Sequence, residues 1–295
     1  MRIYNYFKDF FISKEILYVD DEKLLNIIIK DIQSKKFLAL DTEFVWRNTY
    51  YPKLSLIQVS TENKIYILDC LTLNISNMKS ILSDEKVMKI FHSIRGDSSV
   101  LFNCLGIKLN NIFDTQIAED LLTGSNGDQI SYKKLVKKYF FKDISKSETN
   151  SDWEKRPLRK KQLDYAAEDV RYLHSIMRMQ NKKLRNLNKL EVFQSNCEHE
   201  KSLGEEDFSK SRLRRFKKKN KNVSDKELKI YEWRENQAKK LNVPPNHIFE
   251  ERNLKRLKHV LSNKNINELK WIIKIGPSRE DFITHFSYDL SSLDN

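Results

Sequence analysis

Residues 37–44 read FLALDTEF, and how this stretch is understood decides the fold. Phe37, Leu38, Ala39 and Leu40, with Phe44 behind them, form the apolar run of a buried strand. Two carboxylates, Asp41 and Glu43, stand at its end. Side chains at i and i+2 of a strand share a face, so these acids converge on one spot and repel each other unless something cationic sits there. A divalent metal ion meets that need, and hard oxygen ligands with few histidines nearby suit Mg²⁺ or Mn²⁺ better than zinc. Taken alone, an Asp-x-Glu is more often a solvated pair at an exposed strand end. Its companions elsewhere in the chain therefore decide the matter.

Outward from this strand the chain alternates between helical and extended periods. DEKLLNIIIKDIQ (21–33) precedes it as a helix, while KLSLIQVS (53–60) and KIYILD (64–69) follow as strands across a polar turn at Glu62 and Asn63. Three strands in succession predict an antiparallel meander. NMKSILSD then reads as a helix and KIFHS (89–93) as a buried strand. GDSSVLFNCLGI (96–107) and DTQIAEDLLTG (114–124) are helices, the second opened by Asp114 as N-cap and stopped at a glycine. From about 162 the pattern is helical: Leu163, Ala166, Val170, Leu173 and Met177 form one stripe, and Tyr165 and Asp169, four apart, share a face at its border. The polar run NCEHEKSLGEEDFS (196–209) is expected to be a linker to a second, all-helical unit.

With 295 residues, 39% hydrophobic and 32% charged, the chain holds enough apolar material for one large domain and a small one. Lysines and arginines number 54 against 41 acids, a net charge of +13, and the pI is near 9.4, which suits a polyanionic partner, either nucleic acid or an anionic membrane surface. No apolar run approaches the ~18 residues of a membrane span. Lys8, Asp9 and Lys14 interrupt the N-terminus where a secretory peptide needs continuity, so a cytoplasmic protein without a membrane partner is expected. Cys70, Cys104 and Cys197 fall in no paired motif, which disfavours a disulfide framework or a thiolate zinc site.

The companions of Asp41 and Glu43 are Asp97, after KIFHS and a glycine turn, and Asp169 with Tyr165. LDTEF with the downstream TYYPKLSLIQVS, then FHSIRGDSSVL, then KSETNSDWEKRPLRKKQLDYAAEDVRYL together resemble the three exonuclease motifs of ribonuclease D, of the DEDD 3′-to-5′ exonucleases with tyrosine in the third motif. The resemblance covers about residues 17 to 180. It implies a ribonuclease H-like α/β domain over residues 1–200, with two divalent cations, Mg²⁺ or Mn²⁺, bound by Asp41, Glu43, Asp97 and Asp169 and flanking the scissile phosphate. Tyr165 would hold the attacking water and help deprotonate it. The substrate implied is RNA with a single-stranded 3′ end, tRNA precursors among them, cleaved by a monomeric enzyme to nucleoside 5′-monophosphates. A proofreading or Werner-like DNA exonuclease shares the acids, and a non-catalytic RNA-binding adaptor is the non-enzymatic alternative.

Substrate contacts are expected from several neighbours. By resemblance, the backbone of Thr42 would touch the terminal nucleotide, and Phe44 would stack on a base or fill the core. His92 faces the phosphate or belongs to the core. Lys146, Trp153 and Arg156, in the turn-rich KSETNSDWEKRP, are candidates for phosphate contact and stacking, set against a packed tryptophan with solvated charges. Residues 209–221 concentrate cations, Arg214, Arg215, Lys217, Lys218 and Lys219 among them, at a density suited to non-specific phosphate binding or to a solvated helix face. Beyond them, ELKIYEWRENQAKKLNVPPNHIFEERNLKRLKHV resembles an HRDC domain, with Trp233, Ala238, Asn242 and Pro244 matching its pattern. A single nucleic-acid-binding module of this kind is thus expected over 208–295, where the best-known ribonuclease D carries two.

Overall fold

The computed structural model describes residues 14–124, 129–145 and 147–287. The chain forms two compact units, Met1–Val45 with Lys53–Glu205, and Trp46–Pro52 with Glu206–Asn295. Among the described residues no helix is long and apolar enough to cross a membrane.

The first unit runs β1 (Glu15–Val19), α1 (Glu22–Gln33), β2 (Phe37–Val45), β3 (Lys53–Ser60), β4 (Lys64–Asp69), α2 (Met78–Leu82), β5 (Met88–Phe91), α3 (Arg95–Leu105), β6 (Ile112–Asp114), α4 (Thr115–Thr123), α5 (Tyr132–Phe140), α6 (Lys160–Arg171), α7 (Leu173–Asn186) and α8 (Leu190–Gly204). Its six strands form one sheet in the order β1-β4-β3-β2-β5-β6. The meander appears as antiparallel β2–β3 and β3–β4 pairs, whereas β1, β5 and β6 join in parallel through helical crossovers. Strand β2 lies inside the sheet with both faces covered, which is why Leu38, Ala39 and Leu40 are all buried. Asp21 caps α1 through the N–H groups of Lys23 and Leu24, and the helix buries Leu25, Ile28, Ile29 and Ile32. Helix α6 lies across β2, β3 and β4.

The stretch expected to be a linker is instead helical through Gly204, and the first unit ends at Glu205. Phe193, Cys197, Lys201 and Gly204 recur along one buried side of α8. Phe193 packs on Phe113 at 4.6 Å between centroids, and the Lys201 ammonium donates to the Leu109 carbonyl at 3.0 Å. That side is narrow, and half of it is a lysine stem and a glycine, so apolar periodicity does not reveal it.

The second unit comprises α9 (Phe208–Lys219), α10 (Asp225–Leu241), α11 (Pro245–Ile248), α12 (Leu254–Asn263), α13 (Leu269–Ile272) and α14 (Gly276–His285). A capping box between Ser224 and Glu227 starts α10, and Asn242 ends it in the left-handed region at φ 49. Phe216 stacks on Tyr231 at 4.1 Å, and Trp233 meets Phe282 edge-on at 4.9 Å. The sequence did not suggest that residues 46–52 belong here. Tyr50 is fully buried in this core, its N–H donates to Asn242 Oδ1 at 3.1 Å, and the Arg212 guanidinium lies 4.5 Å from its ring centre.

Candidate active site

Strand β2 carries the first two acids into the sheet, and α6 brings Asp169 onto them one turn after Tyr165. One carboxylate oxygen from each of Asp41, Glu43 and Asp169 lies within 4.8 Å of the others. Asp97 sits in the first turn of α3, buried, where the Thr42 hydroxyl donates to its Oδ1 at 2.7 Å. Thr42 alternates with the two acids along β2, so its side chain serves the opposite face and anchors α3.

Asp114 holds the turn that delivers Asp97. Its carboxylate accepts from the N–H of Ser93 at 3.1 Å and of Ile94 at 2.7 Å while capping α4 through Gln116 and Ile117. Ser93 adopts φ 70, a left-handed conformation that these bonds retain.

Burial, then the charges of Asp97, Asp169 and Glu43, push the Asp41 carboxyl well above the usual carboxylate range. Burial and the charges of Asp169 and Asp97 push Glu43 up to about 9, and burial pushes Asp97 up to about 7 against the pull of the Thr42 hydroxyl. None of the charges acting most strongly on Asp41 or Glu43 is positive. Converging hard oxygen donors that repel one another fit divalent cations, which would favour the ionised carboxylates at neutral pH. Burial and the charge of Asp169 raise the Tyr165 pKa, so this group is a phenol at neutral pH. Its hydroxyl lies 3.3 Å from Thr149 Oγ1, and its ring centre 6.0 Å from that of Trp153.

A cavity of about 280 Å³ opens at Asp41, Tyr165 and Asp169, with His92 in its wall. Gln116, Ser131, Tyr132, Lys133 and Thr149 also line it, and none of these stood out in the sequence. Ser131 starts α5 as its N-cap, the one local signal available for this group. Lys133 passes for background in so lysine-rich a chain, although among the described residues its ammonium has no partner.

Two expected substrate contacts are corrected. Arg156 is held by the protein: its guanidinium forms a two-point ion pair with buried Asp69, at 2.5 and 2.7 Å, and donates to the Trp153 carbonyl at 2.7 Å. Trp153 is 2% exposed and offers no face to a base. Together with Ser55, whose hydroxyl donates to the Trp153 carbonyl, these residues strap the segment to the sheet beside Tyr165. Phe44 packs against the core of the first unit, next to a register shift between Glu43 and Phe44. His92 faces the cavity, but Nδ1 lies 3.0 Å from Thr115 Oγ1 and Nε2 lies 3.1 Å from the Ile130 carbonyl. Lys146 falls outside the described residues. In the second unit Arg214 pairs with Glu206 at 2.8 Å and Lys219 lies 3.7 Å from Glu251, while Arg215, Lys217 and Lys218 are exposed.

Comparison with known proteins agrees with this geometry. Residues 16–185 match a family described as 3′-5′ exonuclease. Ribonuclease D of Pseudomonas paraeruginosa is 30% identical over 273 residues, covering 91% of this chain and 72% of that protein. Ribonuclease D of Desulfotalea psychrophila is 31% identical over 251 residues, covering 81% and 65%. The crystal structure of Escherichia coli RNase D, described as an exoribonuclease involved in structured RNA processing, shares the fold at a TM-score of 0.80 and 23% identity, covering 94% of this chain and 74% of that one. Four acids and a tyrosine on a ribonuclease D-like fold, joined to 30% sequence identity over 91% of the chain, lead to one conclusion: the chain belongs to the ribonuclease D family of 3′-to-5′ exonucleases.

Proposed function

We propose that this protein is a metal-dependent 3′-to-5′ exoribonuclease that shortens RNA from a single-stranded 3′ end, tRNA precursors and other small structured RNAs included, releasing nucleoside 5′-monophosphates. The observation that carries the proposal is the convergence of Asp41, Glu43 and Asp169, with Asp97 behind Thr42, beside a cavity that Asp41, Asp169 and Tyr165 line. Asp41, Glu43, Asp97 and Asp169 would hold two divalent cations, Mg²⁺ or Mn²⁺, which when bound supply charge stabilisation at the phosphate and a hydroxide at neutral pH. Tyr165, which lines the same cavity, would hold the attacking water through its hydroxyl and help deprotonate it. Lys133 is placed to meet a phosphate oxygen of the 3′-terminal segment. The helical unit, which we take to be HRDC-like, presents Arg215, Lys217 and Lys218 to the RNA backbone.

The test is incubation of 5′-labelled RNA with a single-stranded 3′ tail, beside the matching DNA, with Mg²⁺, with chelator, and with Asp169→Ala. A ladder shortening from the 3′ end of RNA, lost with chelator or variant, is expected. Trimming of DNA alone would replace this reading with the proofreading type, and binding of RNA without trimming would favour the adaptor.

A further inference from the structure

Gln58 occupies an unusual place in the sheet. On β3 it stands directly opposite Asp41 of β2, and opposite Ile67 of β4 on its other side. Residues paired across antiparallel strands project to the same face with Cβ atoms ~5 Å apart, so the Gln58 carboxamide shares the face that carries Asp41 and Glu43. That face is covered by α6, and Gln58 is fully buried. Yet among the described residues neither its amide nitrogen nor its amide oxygen has a hydrogen-bond partner.

A buried amide with both ends unpaired is unfavourable and rare in native proteins. The neighbours on its face leave few ways to satisfy it. Ile67 is apolar, and the Ser60 hydroxyl, two residues along β3, already accepts from Lys14 and donates to the Thr61 carbonyl. Asp41 is the polar side chain at a paired position. Its carboxylate must be ionised to hold a cation, and ionised it faces the charges of Asp97, Asp169 and Glu43 with no positive side chain prominent among its neighbours. The Thr42 backbone N–H is the one donor prominent beside that carboxylate, and among the described residues no side chain supplies a second.

We propose that Gln58 is a positioning residue for Asp41: its amide N–H takes the Asp41 carboxylate as acceptor when divalent cations are bound, fixing the orientation of that ligand. The proposal rests on the metal-dependent reading of the site. Gln58 touches neither substrate nor reacting atoms; it acts through Asp41, as the outer partners of metal ligands do.

The experiment compares the full chain with Gln58→Met and Gln58→Leu, two apolar replacements, so that the result does not hang on one variant folding. Three quantities are read: melting in chelator, Mn²⁺ affinity by calorimetry, and kcat and KM on RNA at saturating and limiting Mn²⁺. In chelator at least one variant should melt at or above the wild-type temperature, because an unpaired amide has been removed. Its Mn²⁺ affinity should fall ~10-fold, with kcat lost at limiting metal, largely restored at saturating metal, and KM for RNA unchanged. Equal Mn²⁺ affinity in wild type and variants overturns the proposal. So does a large loss of melting temperature in chelator for both, since that would show the amide already partnered in the resting protein. Failure of the wild type itself to bind Mn²⁺ would instead overturn the metal reading beneath it.

Discussion

Arg156 separates a substrate contact from a structural tie, and Arg156→Met tests which it is. Asp69 has a side chain 1% exposed and Arg156 one 22% exposed, so the pair is shielded from solvent. Burial by itself would raise the Asp69 pKa, but the bonds from Arg156, Tyr18 and the Leu71 N–H outweigh it and hold the carboxyl below its usual value. Truncating the arginine leaves a buried carboxylate with only Tyr18 and Leu71 as donors, the second at 3.0 Å. Breaking a buried pair costs about 3–5 kcal/mol, and the two remaining donors place this case near the lower end. For a unit of this size ~3 kcal/mol corresponds to a melting temperature lower by roughly 6–12 °C. The Trp153 carbonyl also loses a donor, and since that ring packs on Tyr165, kcat should fall while KM for RNA changes little. Adding Asp69→Asn should recover part of the lost stability, because the stranded charge is then gone. The assay is thermal unfolding with initial rates on labelled RNA for the two single variants and the double. A melting temperature within about 1 °C of wild type, joined to a raised KM, would refute the reasoning and return Arg156 to the substrate.

His174 is buried, with Nε2 2.7 Å from the Ser60 carbonyl. Burial, then the charge of Lys14, pushes its pKa down to about 3, so the unfolded chain takes up a proton first and stability falls as pH drops from 6.5 towards 3. Between pH 6.5 and 4.5 this amounts to about 2 kcal/mol, and urea unfolding of His174→Gln should show a correspondingly flatter acid limb. A Cβ at Gly204 would stand 1.9 Å from Ser98 Oγ and 2.5 Å from the Arg95 carbonyl. Gly204→Ala should therefore push α8 off α3, cost about 1–3 kcal/mol in chemical denaturation, and lower activity through displaced Asp97. Neutralising Lys217, Lys218 and Lys219 together should weaken RNA binding and flatten the slope of log affinity against log salt by about 2; an unchanged slope would remove these residues from the interface.

Local order carried much of this protein into view. FLALDTEF declares a covered strand with two acids on one face, because the strand period of two is a property of the chain itself. YAAED places Tyr165 and Asp169 on one helical face for the same reason, and Asp114 caps its helix as its position implies. The three motifs also sufficed for the family. Contacts between residues far apart in sequence were another matter. Trp153 and Arg156 look like a nucleic-acid grip in a turn-rich, basic segment, but Asp69, on a distant strand, takes the guanidinium, and the ring is buried against Tyr165. Helix α8 hid behind a polar sequence because its buried side is one residue wide and completed by α3 and β6. Residues 46–52 read as part of the first domain, and Gln58 as one more position in a strand. Only the register of β3 against β2 sets that amide opposite Asp41, and only the covering helix makes its missing partners matter. Periodicity and capping are written along the chain, whereas a residue's partners, and so its role, depend on which distant surfaces burial brings together.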